Sequence, residues 1–456
     1  MGVVRIFKNK IEDSDLAVDP LLFFHEHSLI KKDELIHIRE KLTEEIRYMT
    51  DASATGYDDD RGAINLCLDS QALKNVQSLV YEKKKLNPRY VVVVGIGGSS
   101  MGTKAVQEAV LGRLYNQVHS SPHILYVETV DPDSLEDMYR LLEEVLEKNE
   151  NILVNIVSKS GQTLETIANA MILLDLLKKY KDDYQKYVVI TTDKESRLWR
   201  IAKQLHMDTL EIPQKVGGRY SIFSPVGLFP LGFLDVDIQS LLAGGAIMRK
   251  RCLDKNIWNN PAILSAMISY AHYIQGKKIS DVFLFSMDFE SLGKWCRQLL
   301  AESIGKERIL PGEKKLVGIT PTVSIGSLDL HSMVQLYLGG PIDKVTTFVS
   351  LNQYNNSRFV PPYQEFNYLV KNIQGRSLEE IMDAILRGVK IAYVKQKRPF
   401  LEVILPDRSE RSLGQFIQFK MMEIMYLGAL MKVNPFNQPR VEDYKRETKR
   451  ILADKK

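Results

Sequence analysis

Cysteine is scarce in this chain: three in 456 residues, Cys67, Cys252 and Cys296, far apart from one another. No C-x-x-C pair and no histidine cluster at metal-ligand spacing accompanies them, so a structural zinc is not expected and a reducing compartment is. Cys67 and Cys296 stand in apolar runs, the setting of buried thiols. No apolar run reaches the ~18 residues a membrane span needs. An excess of either charge is missing as well. The 61 Lys and Arg against 57 Asp and Glu leave +4 with no long block of one sign, which argues for neither nucleic acid nor a membrane surface as partner. The opening MGVVRIFKNK lacks the apolar core of a signal peptide, and Ile6 breaks the myristoylation pattern,. The expected location is the cytoplasm.

What is present is an ordinary globular composition, 45% hydrophobic and 26% charged, long enough for two or three domains at about 150 residues each. From position 90 the pattern alternates: strands near 90–94, 124–128, 152–157, 187–192 and 209–212, with helices near 102–113, 134–148, 164–180 and 196–205. A Gly- and Pro-rich stretch, 216–234, reads as an irregular linker. After helices near 238–251 and 261–275, a second alternation places strands at 282–285, 316–319, 345–351 and 401–405 and helices at 290–304, 328–338, 378–394 and 413–433. Strands alternating with helices of this length imply right-handed crossovers and parallel sheets. The expected fold class is α/β, two three-layer α/β/α sandwiches with mainly parallel sheets plus helical terminal segments. The expected divisions are 1–60, a helical segment; 61–235, the first α/β domain; 236–433, the second; and 434–456, a helical tail.

The stretch Tyr90–Gly102, YVVVVGIGGSSMG, is a buried strand running into a glycine-rich turn at a helix start, which suits an anion or is only a tight turn. Its spelling resists the nucleotide motifs. Ser100 stands where the dinucleotide fingerprint wants its third glycine, and Thr103-Lys104 follow Gly102 in the wrong order for a P-loop,. Ser158-Lys159-Ser160-Gly161-Gln162-Thr163 is a second such turn, whose hydroxyls either join free N–H groups around a phosphate or cap the helix. Gly217-Gly218-Arg219-Tyr220-Ser221 brings a guanidinium to a backbone-lined place, where it serves an oxyanion or is a surface arginine. Glu302, in Glu302-Ser303-Ile304-Gly305-Lys306, ends an apolar helix, as a poised base or a solvated carboxylate. Asp329 precedes His331 by two residues, to orient the imidazole or only to cap the helix. Lys445 closes Gln438–Lys445, QPRVEDYK.

Taken in this order and at these intervals, GIGGSS, SKSGQT, GGRYS, ESIGK, DLHS and FNQPRVEDYK resemble the motif series of the phosphoglucose isomerase (glucose-6-phosphate isomerase) family, from about Val91 to Lys445. The length resembles the shorter bacterial members, and the two α/β halves resemble that family's paired sugar-isomerase (SIS) domains. The resemblance implies an aldose–ketose isomerase of D-glucose 6-phosphate and D-fructose 6-phosphate that works through a cis-enediol without a cofactor or metal. It implies Glu302 as the proton carrier between the first and second sugar carbons, and Arg219 as the holder of enediolate charge. His331, contributed by the neighbouring subunit of a homodimer, and Lys445 would assist ring opening. Ser158, the Lys159 backbone, Ser160 and Thr163 would clamp the phosphate, Gly98 and Ser99 would lie against the sugar, and Gln298 and Gln438 would contact substrate. Three positions depart from the family pattern: Arg440 replaces a small residue, Gln214 a short polar or acidic one, and Ile304 a polar one. The alternatives are a non-catalytic phosphosugar-binding SIS protein and an isomerase that also accepts mannose 6-phosphate.

Overall fold

The computed structural model describes residues 20–310 and 312–454. The glycine turn is reached by strand Pro88–Val94, whose last five residues, from Tyr90, are buried. Burial on both faces is what a near-continuous β-branched run requires, and it assigns the strand to the middle of a parallel sheet. The sheet runs in the order His123–Val127, Pro88–Val94, Asn151–Val157, Val188–Thr192, Asp208–Glu211, with every neighbour parallel. The order reverses direction at Pro88–Val94, so the turns after it and after Asn151–Val157 lie together at the carboxyl edge, where open α/β sheets bind ligands.

Successive residues of these strands face different cores. Val92, Val94, Val154, Ile156, Val188 and Ile190 pack on the outer helices Pro132–Glu147, Leu164–Tyr180 and Arg197–Gln204. Val91, Val93, Leu153, Val157 and Val189 face inward. The second sheet repeats the scheme in the order Leu22–Phe24, Phe400–Leu405, Lys344–Leu351, Ile279–Leu284, Thr320–Ile325, all parallel but the first pair. Phe283, Phe285, Phe348 and Phe400 form its outer core with Tyr337, Leu386, Val389 and Tyr393. Val282, Leu284, Val349, Leu401 and Val403 face inward and join the same large core as the first sheet. The inner helical layer is therefore common to both sheets. Position 235/236 marks a change of sheet rather than a break in the core.

At the centre of that layer the helix Glu410–Leu430 is buried on nearly every side, against Ile238–Cys252 and Pro261–Ile274. Two glycines permit the closest crossing. A Cβ on Gly414 would stand 2.0 Å from the Leu241 carbonyl oxygen, and one on Gly244 would stand 2.0 Å from that of Arg411.

Several expectations from the sequence are corrected. The segment expected to be helical throughout also supplies a strand, Leu22–Phe24, which closes the open edge at Phe400–Leu405; residues 1–19 of that segment lie outside the described residues. The stretch 216–234 contains a buried helix, Pro225–Phe233, opened by Ser224 and Pro225. Proline at a helix start is preorganised, not disruptive. The helix expected from 134 begins two residues earlier, as Pro132–Glu147, with Asp131 as its cap. The strand expected at 316–319 is the end of a hairpin, Lys306–Ile309 with Glu313–Val317, whose Leu316 is exposed. The sheet strand comes just after it, Thr320–Ile325. The helix expected over 328–338 divides into a 3-10 turn, Leu328–His331, and Val334–Gly339.

Candidate active site

Turns far apart in the chain meet at the carboxyl edge of the first sheet. Pro88–Val94 leads into Gly97–Ser99, a single 3-10 turn, and against it lies the turn Gly218–Tyr220. A Cβ on Gly98 would fall 2.2 Å from the Gly218 carbonyl carbon, so only glycine lets these backbones approach so closely. Ser221 Oγ is within reach of both turns, 2.7 Å from the Gly218 carbonyl and 3.3 Å from that of Gly98.

Arg219 is 2% exposed. A guanidinium is tolerated there only if its donors are satisfied, and they are. Nε donates to Ser303 Oγ at 2.7 Å, and Nη1 to Glu302 Oε2 at 3.1 Å and Gln438 Oε1 at 2.9 Å. Nη2 donates to the carbonyls of Pro435 and Asn437. Trp295 Nε1 donates to the Arg219 carbonyl at 3.1 Å. One side chain thus joins its own turn, the helix Glu290–Ile304 and the loop before the C-terminal helix Val441–Ala453.

Glu302 lies in the last turn of Glu290–Ile304. Arg219 holds one of its oxygens, and Gln298 Nε2, one turn earlier, donates to the other at 3.1 Å. About a third of the Glu302 side chain, 32%, stays accessible. Gln298 Oε1 is buried without a hydrogen-bond partner among the described residues.

In the second turn, Ser158 Oγ and Thr163 Oγ1 are 2.9 Å apart, and Ser160 Oγ accepts from the Gln162 N–H at 3.2 Å. Gly161 takes φ +65° to close the turn. Thr163 is the N-cap residue of Leu164–Tyr180, yet no side chain caps that helix. The hydroxyls are therefore not spent on ordinary capping. The Lys159 ammonium is pushed below its usual range, chiefly by burial; Asp193 and Asp60 oppose this and Arg219 adds to it.

Two of the sequence-predicted residues are not brought to this place. His331 is exposed on its 3-10 turn. Asp329 does not orient it, since its oxygens accept from the Ile325 N–H and the Ser332 hydroxyl, both at 2.7 Å. Lys445 pairs with Glu442 at 2.7 Å along its own helix. Arg440 turns to Glu307 and Asp443, not to Lys445. Ile304 is fully buried, which a polar residue would not suit. Gln214 lines a separate cleft of about 810 Å³ beside helix Ser70–Lys84, away from Arg219 and Glu302.

Sequence reasoning overlooked Ser303, Trp295 and Lys306. Lys306 Nζ donates at 2.6 Å to the carbonyls of both Glu302 and Asn437. Ser303 and Lys306 stand inside ESIGK, so the signal was the motif itself; only the fold shows what the two side chains touch. Among the described residues no group of three or more His, Cys, Asp or Glu is placed to hold a metal ion.

The model of the family described as Phosphoglucose isomerase matches residues 81–456. A glucose-6-phosphate isomerase of Carboxydothermus hydrogenoformans is 34% identical over 375 residues, covering 80% of this chain and 79% of that one. The crystal structure of a hypothetical protein from Thermus thermophilus superposes with a TM-score of 0.86 at 28% identity, covering 95% of this chain and 100% of that one. That of a glucose-6-phosphate isomerase from Chlamydia trachomatis gives 0.82 at 19% identity, over 96% and 89% of the two chains, a likeness of fold.

Proposed function

The chain belongs to the phosphoglucose isomerase family and is an aldose–ketose isomerase of glucose 6-phosphate and fructose 6-phosphate, and we propose that Glu302 carries the proton while Arg219 holds the charge. The observation behind this reading is the dry guanidinium of Arg219 shared between Glu302 and Gln438. In the open-chain aldose, Glu302 takes the proton from the second carbon. The electron pair forms the carbon–carbon double bond, and negative charge gathers on the first oxygen. A buried cation already in place stabilises that charge without reorganisation. A proton passes from the second oxygen to the first, and as the second carbonyl forms the same carboxyl returns its proton to the first carbon, leaving the ketose. One base can serve two adjacent carbons only on one face of the intermediate, hence a cis-enediol.

The remaining assignments are proposals of the same kind. Ser158, the Lys159 backbone, Ser160 and Thr163 hold the substrate phosphate at an uncapped helix start,. Gly98 and Ser99 floor the sugar, and Gln298, which also holds Glu302, contacts it. We assign ring opening to Lys445 and to His331 of a second copy. Exposure of His331 supports that role. The α/β units 61–235 and 236–433 remain the proposed domains. All three cysteines are unpaired and buried, in keeping with work in the cytoplasm. Among the described residues no helix is long and apolar enough to cross a membrane.

A coupled assay of fructose 6-phosphate isomerisation on wild type and Glu302→Gln tests the reading. The variant is expected to lose about 10²–10⁴-fold in kcat, with wild-type activity persisting in a chelator. Near-full activity of Glu302→Gln would refute the assignment.

A further inference from the structure

Lys306 has no part in the proton transfer just described, yet beside Arg219 it is a second link between the two segments that must stay in register for it. It follows Gly305, the C-cap of helix Glu290–Ile304, and opens the strand Lys306–Ile309. The last carbonyls of a helix have no partner within the helix. Lys306 Nζ reaches back to one of them, the carbonyl of Glu302 itself, at 2.6 Å. The same ammonium donates at 2.6 Å to the carbonyl of Asn437, the residue before Gln438. Asn437 O also accepts from Arg219 Nη2 at 3.3 Å. One lysine therefore connects the backbone under the proton carrier to the backbone under Gln438, with Arg219 on the same carbonyl.

Resting on the isomerase reading above, we propose that Lys306 is a positioning residue whose ammonium staples the loop 434–440, and through it the helix that carries Lys445, to the turn that carries Glu302. Charge matters to the staple, because an ammonium donates more strongly to carbonyls than a neutral amine does. The charged groups facing it are Arg219 on the opposing turn and Glu302 on the preceding helix. From the C-terminal segment it meets the Asn437 carbonyl, while Arg440 and Glu307 nearby are engaged with each other. Burial, with Arg219 pressing the same way and Glu302 opposing, brings its pKa down to about 8. The staple is at full strength below that pH and weakens above it.

The test is Lys306→Gln beside Lys306→Arg, read by the pH profile of kcat/KM and by hydrogen exchange of residues 434–445. Lys306→Gln is expected to lower kcat by about 10–100-fold, the scale of an ångström-sized misplacement, with KM moved less, and to speed exchange across 434–445. Lys306→Arg keeps the charge at all working pH, so it is expected to restore much of the activity and to move upward the fall in kcat/KM that the wild type is expected to show near pH 8. Unchanged exchange in 434–445 in Lys306→Gln, or an alkaline limb that stays in place in Lys306→Arg, overturns the proposal. The exchange measurement stands apart from catalysis. A wild-type protein without isomerase activity would overturn the functional reading, while exchange in Lys306→Gln would still decide whether the staple exists.

Discussion

At the scale of single residues, burial decides what a side chain can do, and the sequence shows burial poorly. Arg219 and Arg440 are both arginines beside glycine or proline in the chain, yet one is buried among five acceptors and the other lies on the surface between Glu307 and Asp443. Arg440, one of the three departures from the family pattern, is a surface clasp between the C-terminal helix and the hairpin. His272 shows the same principle in stability. It is buried, its Nε2 is 2.8 Å from the Ser28 carbonyl, and its Nδ1 has no partner among the described residues. Burial, with Lys277 adding, pushes its pKa down to about 4. A base depressed on folding contributes stability that is whole above its unfolded value of about 6.5 and is lost as pH falls through its folded value. The span from 6.5 to about 4 corresponds to roughly 3 kcal/mol. Urea unfolding between pH 7 and 4 should show this loss, and His272→Gln, which keeps a donor for Ser28, should flatten it.

At the scale of elements, strands buried on both faces and long amphipathic helices were legible, because each announces its period. Short elements were not. The exposed hairpin strand at Glu313–Val317 carries apolar residues without burying them, and the sheet strand Thr320–Ile325 begins with Thr and Pro. No local pattern separates those two; the choice is made by what Ile279–Leu284 pairs with. Helix Glu410–Leu430 is another case, since its crossing with Ile238–Cys252 depends on two glycines. Gly414→Ala should destabilise the protein by about 1–3 kcal/mol or more, through overpacking against the Leu241 carbonyl,. Gly388→Ala, on helix Leu378–Lys395 with open space around it, should instead stabilise it by about 0.5–1 kcal/mol. Chemical denaturation of the two variants separates the effects.

At the scale of the whole molecule, the common inner core holds the two sheets in one arrangement and leaves the candidate site between elements of both. The exposure of His331, with no hydrogen bond to Arg219 or Glu302, becomes sensible if a second copy completes the site. Mixing subunits tests this. Glu302→Gln and His331→Ala homodimers should each be poorly active, while a fully randomised equal mixture should recover about a quarter of wild-type activity. Half of its dimers would be hybrids, each with one intact site. Absence of recovery in a mixture shown to exchange subunits would mean that His331 acts within its own chain or not at all.

The sequence by itself determined the α/β class, the family and the identity of most residues assigned to the site, because buried parallel strands, glycine turns and short motifs are local and survive being read one window at a time. Only the tertiary structure decided that Ser158 and Thr163 face each other instead of capping a helix, and that Asp329 serves its own turn. It also decided that a single arginine and Lys306 tie Glu302 to a loop near the far end of the chain. Those are facts of non-local packing. A hydrogen bond's partner depends on which turn the fold brings within about 3 Å, and no spacing along the chain encodes that distance.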